Sequence, residues 1–329
     1  MSSAAVLAVR MFLVGVLDAL SFHKTLVFFV HDAKVGWCSV KCFFLNGIIF
    51  VGGILLFNHA LLPITRHFRS IIGLHATGDA ALAFEAHSPV AGEALDAVLS
   101  LIFKALWTIP IYLLSFVLNT IWYQDIADQA YALHMGRPRL QTPVAMVRDF
   151  VFQTFVLLAL LVQSQVLRIT LGTVERLLWG RSYVGFAAFI AYMSWSFALY
   201  AFDYKWALRG WNVATRFDHV ERHWAFFLGF GLPCTLLTIV FPYFISYGVY
   251  SYMFPLFILL AIRSDEAAGV LAESAPGAVG APCGQFHILK QSKWMSNRAI
   301  RGIGRYWGWD MSTAPKKRRA SAAGAAAKQ

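Results

Sequence analysis

Trp224 to Ile262 reads WAFFLGFGLPCTLLTIVFPYFISYGVYSYMFPLFILLAI, 39 residues without Asp, Glu, Lys or Arg. A helix crosses a bilayer core in about 20 residues. The stretch is therefore too long for one crossing and long enough for two. Pro233, Pro242, Gly248 and Pro255 punctuate it, which predicts a helical hairpin turning near 242–248. It either crosses the bilayer twice or enters it partway. Working back along the chain, charge-free or nearly charge-free runs recur at 43–62, 105–124, 150–167 and 182–202. Four charged residues (Arg168, Glu175, Arg176, Arg181) separate the last two and predict a polar turn at 168–181.

The whole composition agrees. Of 329 residues 58% are hydrophobic and 14% charged, against about a quarter charged in an ordinary soluble domain. This disfavours a disordered chain, a disulfide-rich secreted module and a soluble enzyme. The fold class expected is all-α: a polytopic membrane protein with about six hydrophobic helical segments, the later ones paired as hairpins. Three regions follow: an N-terminal cytosolic or interfacial amphipathic region at 1–38, a transmembrane helical domain at 39–263, and a cytosolic linker, basic interfacial helix and low-complexity tail at 264–329. In the first region Phe12, Leu13, Val16, Leu17 and Leu20 fall on one stripe while Arg10, Asp18 and Lys24 interrupt it, a pattern suited to a helix lying at the interface. Residues 75–93 read as a short loop and 264–285 as a flexible linker.

The net charge of +11 has a direction. With the N-terminus in the cytosol and six crossings, 22 of the 28 basic residues lie on the cytosolic side and five on the other, with Lys104 inside a span. That asymmetry puts both termini in the cytosol. The tail contributes Lys316, Lys317, Arg318 and Arg319, expected to attract anionic lipid head groups. Tryptophans interleaved with basic residues upstream of it suit an interfacial helix better than nucleic-acid binding.

Polar residues gather at the span ends. Trp122, Gln124, Asp125 and Asp128 close the second span, and the i,i+3 spacing puts both aspartates on one face. Asp203, Lys205 and Trp206 close the fourth, while Glu221, Arg222 and Trp224 open the fifth. They read either as an aromatic belt with solvated or paired charges, or as a cluster with Arg209 that gates a pathway or docks a partner. Gly229, Gly231 and Pro233 sit inside an apolar span, where small residues permit close helix packing and proline a bend. His219 and His223 stand at i,i+4, but HVERH is not the zinc-protease arrangement, and no metal or cofactor is expected. The four cysteines form no C-x-x-C pair, and no nucleophile elbow, phosphate loop or dinucleotide fingerprint occurs. An enzyme is not expected.

These residues also carry a family resemblance. ALWTIPIYLLSFVLNTIWYQDIADQAY (105–131) closely resembles the second-span signature of the etoposide-induced protein 2.4 family, autophagy-associated transmembrane proteins of the endoplasmic reticulum. FDYKW (202–206), VERHWAFFLGFGLP (220–233) and FPLFIL (254–259) follow in the family's order. The resemblance covers about residues 38–262. It implies a non-enzymatic role in macroautophagy from the endoplasmic reticulum membrane, through protein partners not identified by sequence. The family is more distantly similar to the bacterial CysZ sulfate-transport family, which implies hairpins that enter the bilayer partway. The alternative reading is therefore a transporter or channel for sulfate or another small anion, with Lys104 as the basic residue inside a span. Self-association is open in either reading.

Overall fold

The computed structural model describes residues 3–75, 93–138, 143–180, 183–211 and 213–265, with the single positions Lys290, Trp294 and Arg298. Most of the expected 75–93 loop, the 264–285 linker beyond Asp265, and Lys316, Lys317, Arg318 and Arg319 lie outside the described residues. Helices α1 (Ser3–Leu20) and α2 (Leu26–His31) precede two long helices, α3 (Ala33–Phe68) and α4 (Glu93–Met135). Then come α5 (Pro143–Trp179), α6 (Tyr183–Leu208), α7 (Val213–Arg222), α8 (Trp224–Ile239) and α9 (Tyr243–Arg263). The described residues contain no strand.

Local chemistry explains the helix boundaries and irregularities. Asp32 is extended and its carboxylate accepts hydrogen bonds from the backbone N–H groups of Lys34 (2.7 Å) and Val35 (3.4 Å), an N-cap that starts α3. Inside α3 and α4 three stretches widen into π-helix: Phe44–Gly52, Phe57–Leu61 and Lys104–Thr108. The second and third lie just before Pro63 and Pro110. A proline lacks an N–H and its ring crowds the carbonyl four residues back, so the preceding turn opens. In the first, the Asn46 side-chain amide donates to the Cys42 carbonyl at 2.8 Å.

Five helices are long and apolar enough to cross a membrane: α3, α4, the 154–178 part of α5, α6 and α9. A sixth is reached if α1 and the segment Phe22–His31, bent 52° at their junction, count as one span. The first arm of the 224–262 hairpin, read as crossing or entering partway, is the shorter apolar helix Trp224–Ile239. Helix α8 has 16 residues and extends only about 24 Å. The hairpin turns at Val240–Pro242, and Gly248 lies within α9 against Val51 and Phe50.

Two other expectations are corrected. No loop occupies 168–179: α5 stays helical to Trp179, and Gly180 follows it with φ of 67°. Continuing the helix costs less than exposing its backbone, and two of the charges find partners. Glu175 accepts a hydrogen bond from the Val184 N–H at 2.7 Å, and Arg168 lies 5.3 Å over the Phe189 ring. Nor does α1 lie flat by itself. It runs antiparallel to α8 with Met11, Gly15 and Ala19 buried, while Leu13, Leu17 and Leu20 of the expected apolar stripe face outward. Gly15 abuts the Phe226–Phe230 backbone and Gly229 the Phe12 backbone, so backbones meet where side chains are absent. Eighteen residues put the start of α1 about 25 Å from its Asp18 end. Ser3 and Asp265 therefore lie toward opposite ends of the bundle.

The core is aromatic. Phe202, Phe226, Phe227, Phe230, Phe254 and Phe257 are buried between α6, α8 and α9, with the Phe202–Phe230 centroids 4.8 Å apart. One end of the bundle, here called the floor, collects the last residues of α1, α4, α6 and α9, the first of α3 and α8, and helix α7.

Candidate functional site

The floor holds the polar span-end residues in two groups. In the first, Asp125 of α4 faces Lys34 of α3 at 3.6 Å, and the Gln124 side-chain amide donates to Asp128 at 2.8 Å, one turn on. Lys41 extends between two indoles, 5.6 Å from the Trp37 ring centre and 5.8 Å from that of Trp122. The i,i+3 spacing does bring both aspartates to one face, against α3.

In the second group α6, α7 and α8 converge. Asp203 accepts a hydrogen bond from Arg216 at 2.7 Å, and the same guanidinium donates twice to the Trp211 carbonyl, at 3.0 and 2.8 Å. Arg216 is 1% exposed, so the guanidinium is buried, and these bonds occupy three of its five N–H donors. Lys205, fully buried, donates to the Ser264 carbonyl at the end of α9. The Ser264 hydroxyl donates to Asp18 at 2.8 Å, and Lys24 completes the chain with a 2.9 Å bond to the same carboxylate. Trp206 and Trp211 stack at 5.9 Å and, with Phe227, meet the His219 ring edge-on at 5.3 to 5.7 Å. Glu221 is buried beside them, and the Trp224 carbonyl accepts from the Trp195 indole at 2.9 Å. Arg209 joins the groups, its guanidinium 3.7 Å from the Met135 sulfur.

The pairing differs from that expected. Arg222 points away from the cluster to Asp218, one helical turn before it, at 2.8 Å. Arg216, Trp211, Asp18, Lys24, Lys34 and Ser264 were not singled out by the span-end reading; of these, Arg216 carried the one usable signal, a basic residue on the apolar-patterned face of a short helix with Val213, Phe217 and Val220. His219 and His223 lie with ring centres 4.4 Å apart, and a His223 ring nitrogen sits 3.0 Å from the His219 carbonyl. No group of three His, Cys, Asp or Glu that could hold a metal occurs among the described residues. Gly231 packs against the Ser194 backbone of α6 as Gly229 does against α1, so α8 is clasped on two sides. Pro233 lies within α8, which continues through it. Lys104 faces outward rather than into the bundle.

The family model described as "Sulfate transporter CysZ/Etoposide-induced protein 2.4" matches residues 21–242. The chain belongs to this family. It is 26% identical over 271 residues to a Protein EI24 homolog of Dictyostelium discoideum, covering 80% of this chain and 78% of the relative. A Protein EI24 homolog of Arabidopsis thaliana is 28% identical over 268 residues, 77% and 82% of the two chains. Ectopic P granules protein 4 of Caenorhabditis elegans is 27% identical over 164 residues, 48% of each. No solved structure matches the chain. The family match stops short of both α1 and α9, so the Asp18–Ser264 tie joins two helices that flank the EI24 region.

Proposed function

We propose that this EI24-family chain is a non-enzymatic, multi-pass protein of the endoplasmic reticulum membrane that supports macroautophagy, in the maturation of autophagic structures. Its floor faces the cytosol and docks protein partners. The observation carrying this reading is the floor's construction. Ion pairs and hydrogen bonds from four helices tie Asp18, Ser264 and Lys205 into one network and Asp203 and Arg216 into another beside it, a polar plate. A fixed plate suits a docking face, which gains affinity when little remains to be ordered on binding. The tail residues Lys316 to Arg319 add attraction to anionic lipid head groups, about 1 kcal/mol for each basic residue near the surface. Autophagic flux in a knockout tests the reading: rescue by wild type and failure by Asp125→Ala/Asp128→Ala is expected. Normal flux in the knockout would overturn the cellular role, and rescue by the double variant would overturn the choice of face.

A second reading, transport of sulfate or another small anion, is favoured by the CysZ half of the family description. Purified protein in liposomes tests it through sulfate flux. The outward position of Lys104 leads to the expectation that Lys104→Ala leaves any flux unchanged.

A further inference from the structure

In the first floor group the charges follow an order along α3 and α4. Lys41 lies on the membrane side of the α3–α4 groove, held between the Trp37 and Trp122 rings, with no carboxylate in ion-pair range among the described residues. Farther out on α4, Asp125 and Asp128 present two carboxylates to the same cation, Lys34, which pairs with Asp125 at a loose 3.6 Å exposed to solvent. Beginning beside Lys41 and running toward the middle of the membrane, Val40, Phe44 and Ile48 leave an exposed apolar strip. With Asp32, which caps α3 beside Lys34, three acids accompany two bases, so the groove does not attract anions by net charge. A positive group lies deep and negative groups lie outward of it.

We propose that this groove binds one phospholipid bearing a phosphoethanolamine head group. The phosphate meets the Lys41 ammonium at indole depth, the primary amine donates to Asp125 and Asp128, and an acyl chain lies along Val40, Phe44 and Ile48. Two features select this occupant. An anionic lipid without an amine places its only charge near two carboxylates, which is repulsive. A choline head group carries a cation but no N–H, so it cannot donate to them. Tryptophan flanking suits the site because an indole is apolar on its faces and polar at its N–H, and it settles at this depth.

The full-length protein, purified in detergent and offered phosphatidylethanolamine, phosphatidylcholine or phosphatidylglycerol of matched acyl chains, is read by native mass spectrometry for retained lipid. Wild type should retain phosphatidylethanolamine about fivefold over the other two, the scale of one exposed ion pair. Lys41→Gln should lower retention of all three. Asp125→Asn/Asp128→Asn should erase the preference for the amine over choline while leaving the phosphate contact. Equal retention of the three lipids by wild type would overturn the proposal, as would preference for phosphatidylglycerol or indifference to both variants. The test does not depend on the autophagy reading, since a cellular rescue failure leaves the lipid ratios untouched.

Discussion

Asn46 and Asn119, 73 residues apart in sequence, face each other inside the apolar layer and exchange two amide hydrogen bonds at 2.9 and 3.0 Å. A side-chain amide in that setting is costly without a partner, and each of these is the other's answer. Asn46→Leu alone should therefore lower stability by about 1–2 kcal/mol. The double variant Asn46→Leu/Asn119→Leu should lose less than the sum of the two singles, checked as a double-mutant cycle on thermal unfolding in detergent. Arg216 makes a stronger case of the same kind. Arg216→Met takes the guanidinium away from Asp203 and the Trp211 carbonyl and should cost about 3 kcal/mol. Arg216→Lys should recover little, because one ammonium cannot reproduce the planar fork. Both residues were visible in the sequence as polar letters. Which partner each would find was not, because local periodicity carries no information about a contact made many residues away.

At the scale of elements, the short helix α8 is defined by what it lacks. Gly229 and Gly231 lie where a Cβ would run into the backbones of α1 and α6. Gly231→Val should push α8 off α6 and cost more than the 1–3 kcal/mol typical of overpacking, since backbone rather than a side chain blocks the space. Gly36→Ala provides the contrast. Its added methyl meets only the Phe29 ring at 3.8 Å, an ordinary contact. A glycine replaced by alanine in a helix interior gains stability, so the variant should unfold at the same temperature or slightly higher. The close-packing role of the two α8 glycines was readable from small residues inside an apolar run. The identity of the neighbours was not, and the N-terminal helix, read as interfacial from its apolar stripe, turns a face of Met11, Gly15 and Ala19 to α8 instead.

For the whole molecule, the consequence of that packing is a topology. Helix α1 packs on α8 at Phe12 and Gly15, and its Asp18 end meets Ser264 at the floor. Single cysteines introduced as Ser3→Cys and Asp265→Cys should therefore differ in labelling by a membrane-impermeant maleimide in sealed microsomes, with position 265 labelled and position 3 protected. Equal labelling of both would restore the arrangement expected from basic-residue balance alone. What the sequence determined by itself was the solvent and the class of structure: long charge-free runs demand helices in lipid, because each backbone polar group must be satisfied within its own segment. It also marked the span ends where charge and tryptophan concentrate, and the family. The tertiary structure decided the rest: Arg216 rather than Arg222 for Asp203, α1 against α8, and a first arm of only 16 residues in the hairpin read as crossing twice or entering partway. Burial in lipid depends on composition, which is local and legible. Ion-pair choice and helix adjacency depend on which faces meet, and only the folded chain sets that.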